Sequence, residues 1–156
     1  MKYYYNYDTL FGSVTIVTED EFLIKIIYGN EKVGEEKETT LIKEIKKQID
    51  EYSIGKREKF DVPIKMVGTD FQIKVWKELI KIKFGECITY QELAKRVKNE
   101  NYARAVGMAN NKNPIPIIIP CHRVIGKNGN LVGYAGGIDI KKQLLEIECK
   151  KETIHI

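Results

Sequence analysis

The run Ile117-Ile118-Ile119-Pro120-Cys121-His122-Arg123-Val124-Ile125 is the stretch on which the reading of this chain turns. Three consecutive β-branched isoleucines are stiff at χ1 and favour an extended, buried segment, so a strand is expected here. Pro120 disfavours the helical region for Ile119 and lacks a backbone donor, so that strand must end or kink at it. The kink delivers a cysteine followed at once by a histidine and an arginine. A thiol beside two potentially cationic groups is placed where a thiolate is favoured over a thiol, the setting of a nucleophilic cysteine. Read more plainly, the same residues are a small buried cysteine beside a surface His and Arg. What decides is whether other parts of the chain converge on Cys121.

On the C-terminal side, Asn128-Gly129 is a hairpin turn signal between Val124-Ile125 and Leu131-Val132. The run Gly133-Tyr134-Ala135-Gly136-Gly137 lets backbone amides approach a ligand closely, with Tyr134 as a wall. It lacks the spacing of a nucleotide-binding loop, so a phosphate site is not implied. A last helix is expected over about 140–150. On its wheel Glu148 falls with Leu144 and Leu145 on the apolar face, where a carboxylate needs a partner.

On the N-terminal side, Thr69 and Gln72 form a capping box that opens a helix with Phe71, Val75, Leu79 and Ile82 on one face beside Trp76, which reads as core, and Gly85 stops it. Thr89 and Glu92 open a second helix with Leu93, Ala94 and Val97 inward. After the turn 99–101 a third helix runs through Tyr102-Ala103-Arg104-Ala105-Val106-Gly107-Met108-Ala109. Two short helices across a tight polar turn fit a helix-turn-helix. The second of them, mostly Ala and Gly with one arginine, reads equally as a face that approaches DNA closely or as tight helix packing.

Residues 3–28 read as an antiparallel meander of three strands rich in Tyr, Val, Ile and Thr. A charged loop over 29–37, a helix from about Thr40 with Ile42, Ile45, Ile49 and Tyr52 inward, and an edge strand at Phe60, Val62 and Ile64 complete this part. Nothing in it looks chemical. The fold class expected is α/β in the mixed, α+β sense, with a scaffold domain over 1–67 and a mainly helical, DNA-binding and chemical domain over 68–156.

Composition narrows the classes further. The chain has 156 residues, 43% hydrophobic and 31% charged, enough to bury a core. No apolar run reaches membrane-spanning length and the N-terminus does not resemble a secretory signal. Three cysteines in no paired spacing argue against a disulfide framework and for a reducing cytoplasm. Cys87, Cys121, Cys149, His122 and His155 lack zinc-site spacing, so no metal is expected. Residues 1–68 carry 11 Lys/Arg against 13 Asp/Glu, a net of −2, while residues 69–156 carry 15 against 9, a net of +6. The second half is therefore the better candidate for meeting a polyanion.

Cys121, His122 and Glu148 supply a nucleophile, a base and a group to orient the base. Neighbours on a strand face opposite ways, so His122 is expected to reach the thiol through a turn or a bridging water. This chemistry alone fits either a cysteine hydrolase or a thiolate transferase.

Pro120-Cys121-His122-Arg123-Val124, preceded by Asn113-Pro114 and followed by Gly133-Tyr134-Ala135-Gly136-Gly137, resembles the O6-alkylguanine-DNA alkyltransferases. The resemblance extends to Gly68-Thr69-Asp70-Phe71-Gln72 with Val75-Trp76, Thr89-Tyr90-Gln91, Arg104-Ala105-Val106-Gly107, and Lys141 with Leu144-Leu145 and Glu148. It covers residues 68–148 in order; the N-terminal part fits more loosely, as a ribonuclease-H-like domain. The resemblance implies that Cys121 takes an alkyl group from O6-methylguanine, or O4-methylthymine, in double-stranded DNA and keeps it. It implies that His122 and Glu148, linked through water, make the thiolate, and that Asn113 ties the recognition helix to the active-site strand. Tyr90 would close the nucleotide pocket and protonate the departing guanine, and Arg104 would enter the base stack. The carbonyls of Cys121 and Val124 and the amides of Tyr134 and Ala135 would read the guanine edge. Gln91, Asn99, Ala103 and Lys127 would lie near the DNA. No cofactor is implied, and a cytoplasmic monomer is expected. Ala135 stands where several members have serine, and the N-terminal zinc ligands of some members have no counterpart. The competing reading is a non-enzymatic, lesion-binding alkyltransferase-like protein; members of that group lack the cysteine.

Overall fold

The computed structural model describes residues 1–131, 133, 134 and 136–153. The chain divides into two compact units, one of Met1–Val67 with Pro114–Pro116, the other of Gly68–Asn113 and the chain from Ile117 onward.

In the first unit, β1 (Lys2–Thr9), β2 (Gly12–Glu19) and β3 (Phe22–Tyr28) form the antiparallel meander that Tyr/Val/Ile/Thr-rich segments favour. Asp20 and Glu21 turn β2 into β3 with φ of 51° and 68°, the paired positive values of a type I′ hairpin turn. Two expectations fail here. The charged loop contains β4 (Glu35–Glu36), which adds to β1 in parallel and makes the sheet order β3-β2-β1-β4. The edge strand over 60–64 reduces to a single bridge between Ile64 and Leu23. Its neighbouring backbone is served instead by a side chain. The buried Gln48 donates to the Asp61 carbonyl at 3.1 Å and accepts from the Asp61 amide at 2.9 Å. Gln48 stands on α1 (Thr40–Ser53), capped by Thr39 and burying Ile42, Ile45, Ile49 and Tyr52. Full burial of each such side chain contributes about 1.5–3 kcal/mol. Residues 114–116 belong here because the Ile26 amide donates to the Pro114 carbonyl at 2.9 Å.

The second unit opens with α2 (Asp70–Ile80), whose capping box is complete: Thr69 Oγ1 accepts from the Gln72 amide, and Gln72 Oε1 from the Thr69 amide. Both bonds satisfy donors that a helix start leaves orphaned, so Thr69→Ala is expected to cost about 1 kcal/mol, read as a thermal midpoint lowered by a few degrees. Val75, Trp76 and Leu79 of α2 are buried, and Trp76 Nε1 donates to the Ala109 carbonyl at 2.9 Å. Gly68 lies so close that a Cβ would sit 2.5 Å from the Trp76 ring, which leaves no room for any other residue.

Then follow β5 (Ile88–Thr89), α3 (Tyr90–Val97), a 3-10 turn (Glu100–Tyr102) and α4 (Ala103–Asn111). Among the described residues the expected hairpin around Asn128-Gly129 forms no ladder beyond its turn. β6 (Val124–Ile125) pairs in parallel with β5, and the turn closes locally as Gly126 donates to the Asn130 carbonyl at 2.7 Å. Asn128, at φ 65°, sits in the left-handed region that Asn tolerates. Val132, on the expected second arm, lies outside the described residues. The chain ends in α5 (Ile138–Thr153), longer than expected.

Candidate active site

The segment that should have been a strand is not one. Ile117 and Ile118 are in turns, and Ile117 has φ 74°, a conformation that a β-branched residue enters only under strain. Packing over-rides the local preference: Ile115, Ile117 and Ile119 are all buried to within 1%. The carbonyl of Ile119 then accepts two donors, Asn113 Nδ2 at 2.7 Å and the Cys121 amide at 2.8 Å. Asn113 lies two residues beyond α4, so one side chain couples the end of that helix to the backbone before the cysteine.

Cys121, His122 and Arg123 form a single 3-10 turn and all three are buried. With three residues per turn, neighbouring side chains diverge by about 120°, so His122 leads away from Cys121 instead of lying beside it. Its Nε2 lies 2.6 Å from Glu148 Oε2. The water link expected between these two is therefore not needed; the pair is in direct contact. Arg123, which the plainer reading puts at the surface, is only 7% exposed. It grips both Glu148 oxygens, from Nε at 2.8 Å and Nη2 at 3.0 Å, while Nη1 donates to the Ile82 carbonyl at 2.6 Å. The Gly85 amide adds a contact to Glu148 Oε1 at 3.3 Å.

This arrangement settles the charges. Burial alone would push the Glu148 carboxyl up, but the hydrogen bonds and charges of His122 and Arg123 outweigh it and hold the group down at about 2. The Arg123 guanidinium, closed on both carboxylate oxygens, supports the ionised form of Glu148 alongside His122. Burial lowers His122 below its ordinary value; Glu148 opposes this, and Arg123 and Lys141 reinforce it. His122 is thus neutral at pH 7. A neutral ring that donates from Nε2 to the carboxylate carries its basic lone pair on Nδ1.

Cys121 reverses the sequence expectation. Burial dominates and pushes the thiol up to about 11, against smaller lowering effects from an Asn113 hydrogen bond, the Lys141 charge and the local backbone. The resting group is a thiol, not a thiolate.

Tyr90 begins α3 and is half-buried; burial and the nearby Cys121 raise its phenol, and a hydrogen bond from the Asn110 side chain opposes them. Lys141, fully buried, donates from Nζ to the Val124 carbonyl at 2.7 Å and stands 5.9 Å from the Tyr90 ring centre. Tyr134 is half-buried, and Ala135 lies outside the described residues. Gln91, Asn99, Arg104 and Lys127 are exposed and Ala103 is partly so. Asn99 uses Oδ1 to accept from the Asn101 amide, which shapes the turn before α4. Among the described residues no group of three or more His, Cys, Asp or Glu could hold a metal ion.

Sequence reading missed three residues of this site. Lys141 stands within a motif without a role, Arg123 reads as a cation beside the thiol and not as the partner of Glu148, and their burial is the signal that no local pattern carries. Asn110 was not singled out at all.

Two family models match, the 6-O-methylguanine DNA methyltransferase ribonuclease-like domain over residues 2–66 and the DNA binding domain of the same proteins over 70–150. A methylated-DNA–protein-cysteine methyltransferase of Methanosarcina acetivorans is 42% identical over 94% of this chain and 97% of its own length. The constitutive enzyme of that name from Bacillus subtilis is 40% identical over 95% and 96%. The crystal structure of Mycobacterium tuberculosis O6-methylguanine methyltransferase superposes over 100% of both chains with a TM-score of 0.88 at 35% identity. The same organism's protein in complex with DNA gives a TM-score of 0.88 at 38% identity, over 96% of this chain and 94% of that one. With both of its parts matched and relatives aligned along nearly its whole length, this chain belongs to the 6-O-methylguanine DNA methyltransferase family.

Proposed function

We propose that this chain repairs double-stranded DNA by moving the alkyl group of O6-alkylguanine, O6-methylguanine first and O4-methylthymine second, onto Cys121, once per molecule. The observation that carries the reading is the buried thiol of Cys121 in one turn with a His122–Glu148–Arg123 chain. The Cys121 Sγ–carbon bond forms as the carbon–O6 bond breaks, and the electron pair passes into the purine. His122 Nδ1 takes the thiol proton, through a water, and Tyr90 returns a proton to the guanine. The thioether has no leaving route, so the protein is spent.

The Cys121 and Val124 carbonyls and the Tyr134 amide form the edge that reads the flipped base; Ala135, the other residue expected there, lies outside the described residues. Arg104 enters the stack; Gln91, Asn99, Ala103 and Lys127 meet the DNA backbone. The exposure of these residues around α3 and α4 supports that assignment. The protein acts as a monomer, in a reducing cytoplasm that its three cysteines in no paired spacing support.

Excess oligonucleotide containing O6-methylguanine adds one methyl group per protein, located by intact mass and peptide mapping on Cys121. Turnover beyond one, or label on Cys87 or Cys149, overturns the reading. Binding of lesion DNA with no mass change favours the lesion-sensing alternative.

A second expectation concerns pH. Glu148→Gln leaves His122 poorly oriented and slows transfer by about a hundredfold near neutrality. The deficit shrinks as pH rises toward the Cys121 value of about 11, because more thiolate forms without help. Rates with free O6-benzylguanine across the alkaline range check this, with circular dichroism for the fold. A deficit that does not change with pH removes His122 and Glu148 from proton transfer.

A further inference from the structure

Between Tyr90 and Cys121 stands a side chain that none of the sequence motifs singles out. Asn110, at the end of α4, is 1% exposed, and its Nδ2 reaches to 3.5 Å from the Cys121 carbonyl oxygen. The same side chain lies within reach of the Tyr90 phenol and acts to lower it, the effect expected of a donor. Its Oδ1 is buried and has no hydrogen-bond partner among the described residues.

The amide is fixed from several sides. Trp76 Nε1 holds the carbonyl of the preceding residue, Ala109, at 2.9 Å. The Asn110 carbonyl accepts from the Asn113 amide at 3.3 Å, and Asn113 in turn grips the backbone before Cys121. One turn earlier, the Tyr90 ring edge packs against Gly107, where a Cβ would make ordinary contact at 3.6 Å. Val106 and Ala109 on the same buried face are apolar, so a primary amide among them is costly unless its donors are used.

We propose that Asn110 is a positioning residue for alkyl transfer, a single amide that ties the Tyr90 phenol to the backbone carbonyl of the nucleophile. The inference rests on the reading of this chain as an alkyl acceptor. As Sγ bonds to the alkyl carbon and the carbon–O6 bond breaks, the purine gains an electron pair and takes a proton from the Tyr90 hydroxyl. The phenolate left behind is reprotonated by the proton that the thiol gave up, by way of water. An N–H donated to the phenol oxygen stabilises that phenolate, opposing the effect of burial. It also occupies the oxygen rather than the hydroxyl hydrogen, so the hydroxyl is given to a different acceptor. A carboxylate in the same place would do the reverse on both counts, accepting the phenol proton and disfavouring the phenolate.

The test uses Asn110→Ala and Asn110→Asp, each alone and with Tyr90→Phe, and reads the rate of reaction with free O6-benzylguanine. Ala is expected to slow transfer by about tenfold and the near-isosteric Asp by more. Both losses should disappear in the Tyr90→Phe background, because Asn110 acts through the phenol. Equal losses with and without Tyr90 would show that Asn110 merely supports the fold, and overturn the proposal. A second measurement needs no substrate. The Tyr90 titration, taken as the ultraviolet difference between each protein and its Tyr90→Phe counterpart, is expected to move upward in Asn110→Ala and further in Asn110→Asp. An unmoved titration overturns the proposal even if transfer is slowed. An upward shift in a protein whose wild type takes no alkyl group would sustain the coupling and sink the repair reading instead.

Discussion

Arg123→Met is expected to destabilise the protein by about 3–5 kcal/mol, the usual consequence of stranding a buried charge. The variant removes both guanidinium bonds to Glu148 and the bond to the Ile82 carbonyl, yet leaves a carboxylate that is 3% exposed. His122, neutral at pH 7, and the Gly85 amide are among the contacts that then face it. The remedy open to the variant is protonation, either of Glu148 or of His122, whose value rises once the Arg123 charge has gone. Arg123→Met combined with Glu148→Leu is expected to recover much of the loss, since a hydrophobic pair of similar bulk needs no desolvated charge. Chemical denaturation at neutral pH measures both. An Arg123→Met protein within 1 kcal/mol of wild type would mean that water reaches Glu148 and that the ion pair is a surface one.

The same residues set an acid limit for the wild type. Glu148 is held below its unfolded value, so its contribution is present above about 4.5 and is lost as pH falls toward about 2. His122 is also lowered, so the unfolded chain binds its proton first and stability begins to fall as pH drops below 6.5. The signs agree, and stability declines throughout that descent.

Much of the frame was legible because it is local. The meander, the helix from about Thr40, the Thr69 and Thr89 helix starts and the inward faces of the first three helices follow from periodicity and capping chemistry over a few residues. Glu148 was legible as a carboxylate on an apolar face. What escaped depends on distant parts of the chain. Ile117 takes a left-handed backbone because burial of three alternating isoleucines outweighs the preference of one. The β5–β6 pair joins two-residue strands about 35 residues apart, with no hydrophobic period long enough to announce it. Arg123 looks like a charge that lowers a thiol until its fork is seen closed on Glu148; its positive charge is then already neutralised, and burial governs Cys121. Met108, 63% exposed one turn beyond Arg104, shows that the α4 face is less bare than its Ala/Gly composition suggested.

Arg104→Ala is expected to slow repair of duplex DNA by about two to three powers of ten while leaving the reaction with free O6-benzylguanine nearly unchanged. A methyl group on guanine O6 lies within the base stack, and Cys121, buried in a rigid turn, cannot reach it in line. The nucleotide must leave the stack, at a cost of about a few kcal/mol in unstacking and unpairing. Arg104 is exposed in the first turn of α4, beside the exposed Ala105, on a helix whose small residues permit close approach through the minor groove. Its guanidinium can stack on the flanking bases and donate to the orphaned cytosine, which a lysine could do only as a point charge. Arg104→Lys should therefore recover only part of the duplex rate. The ratio of duplex to free-base rates is the decisive quantity, because damage to Cys121, His122 or Tyr90 lowers both terms together. Equal losses on the two substrates would make Arg104 a support for the active site. Unchanged rates on both would leave base extrusion to other residues of the α4 face, and Met108→Ala would be the next variant to measure.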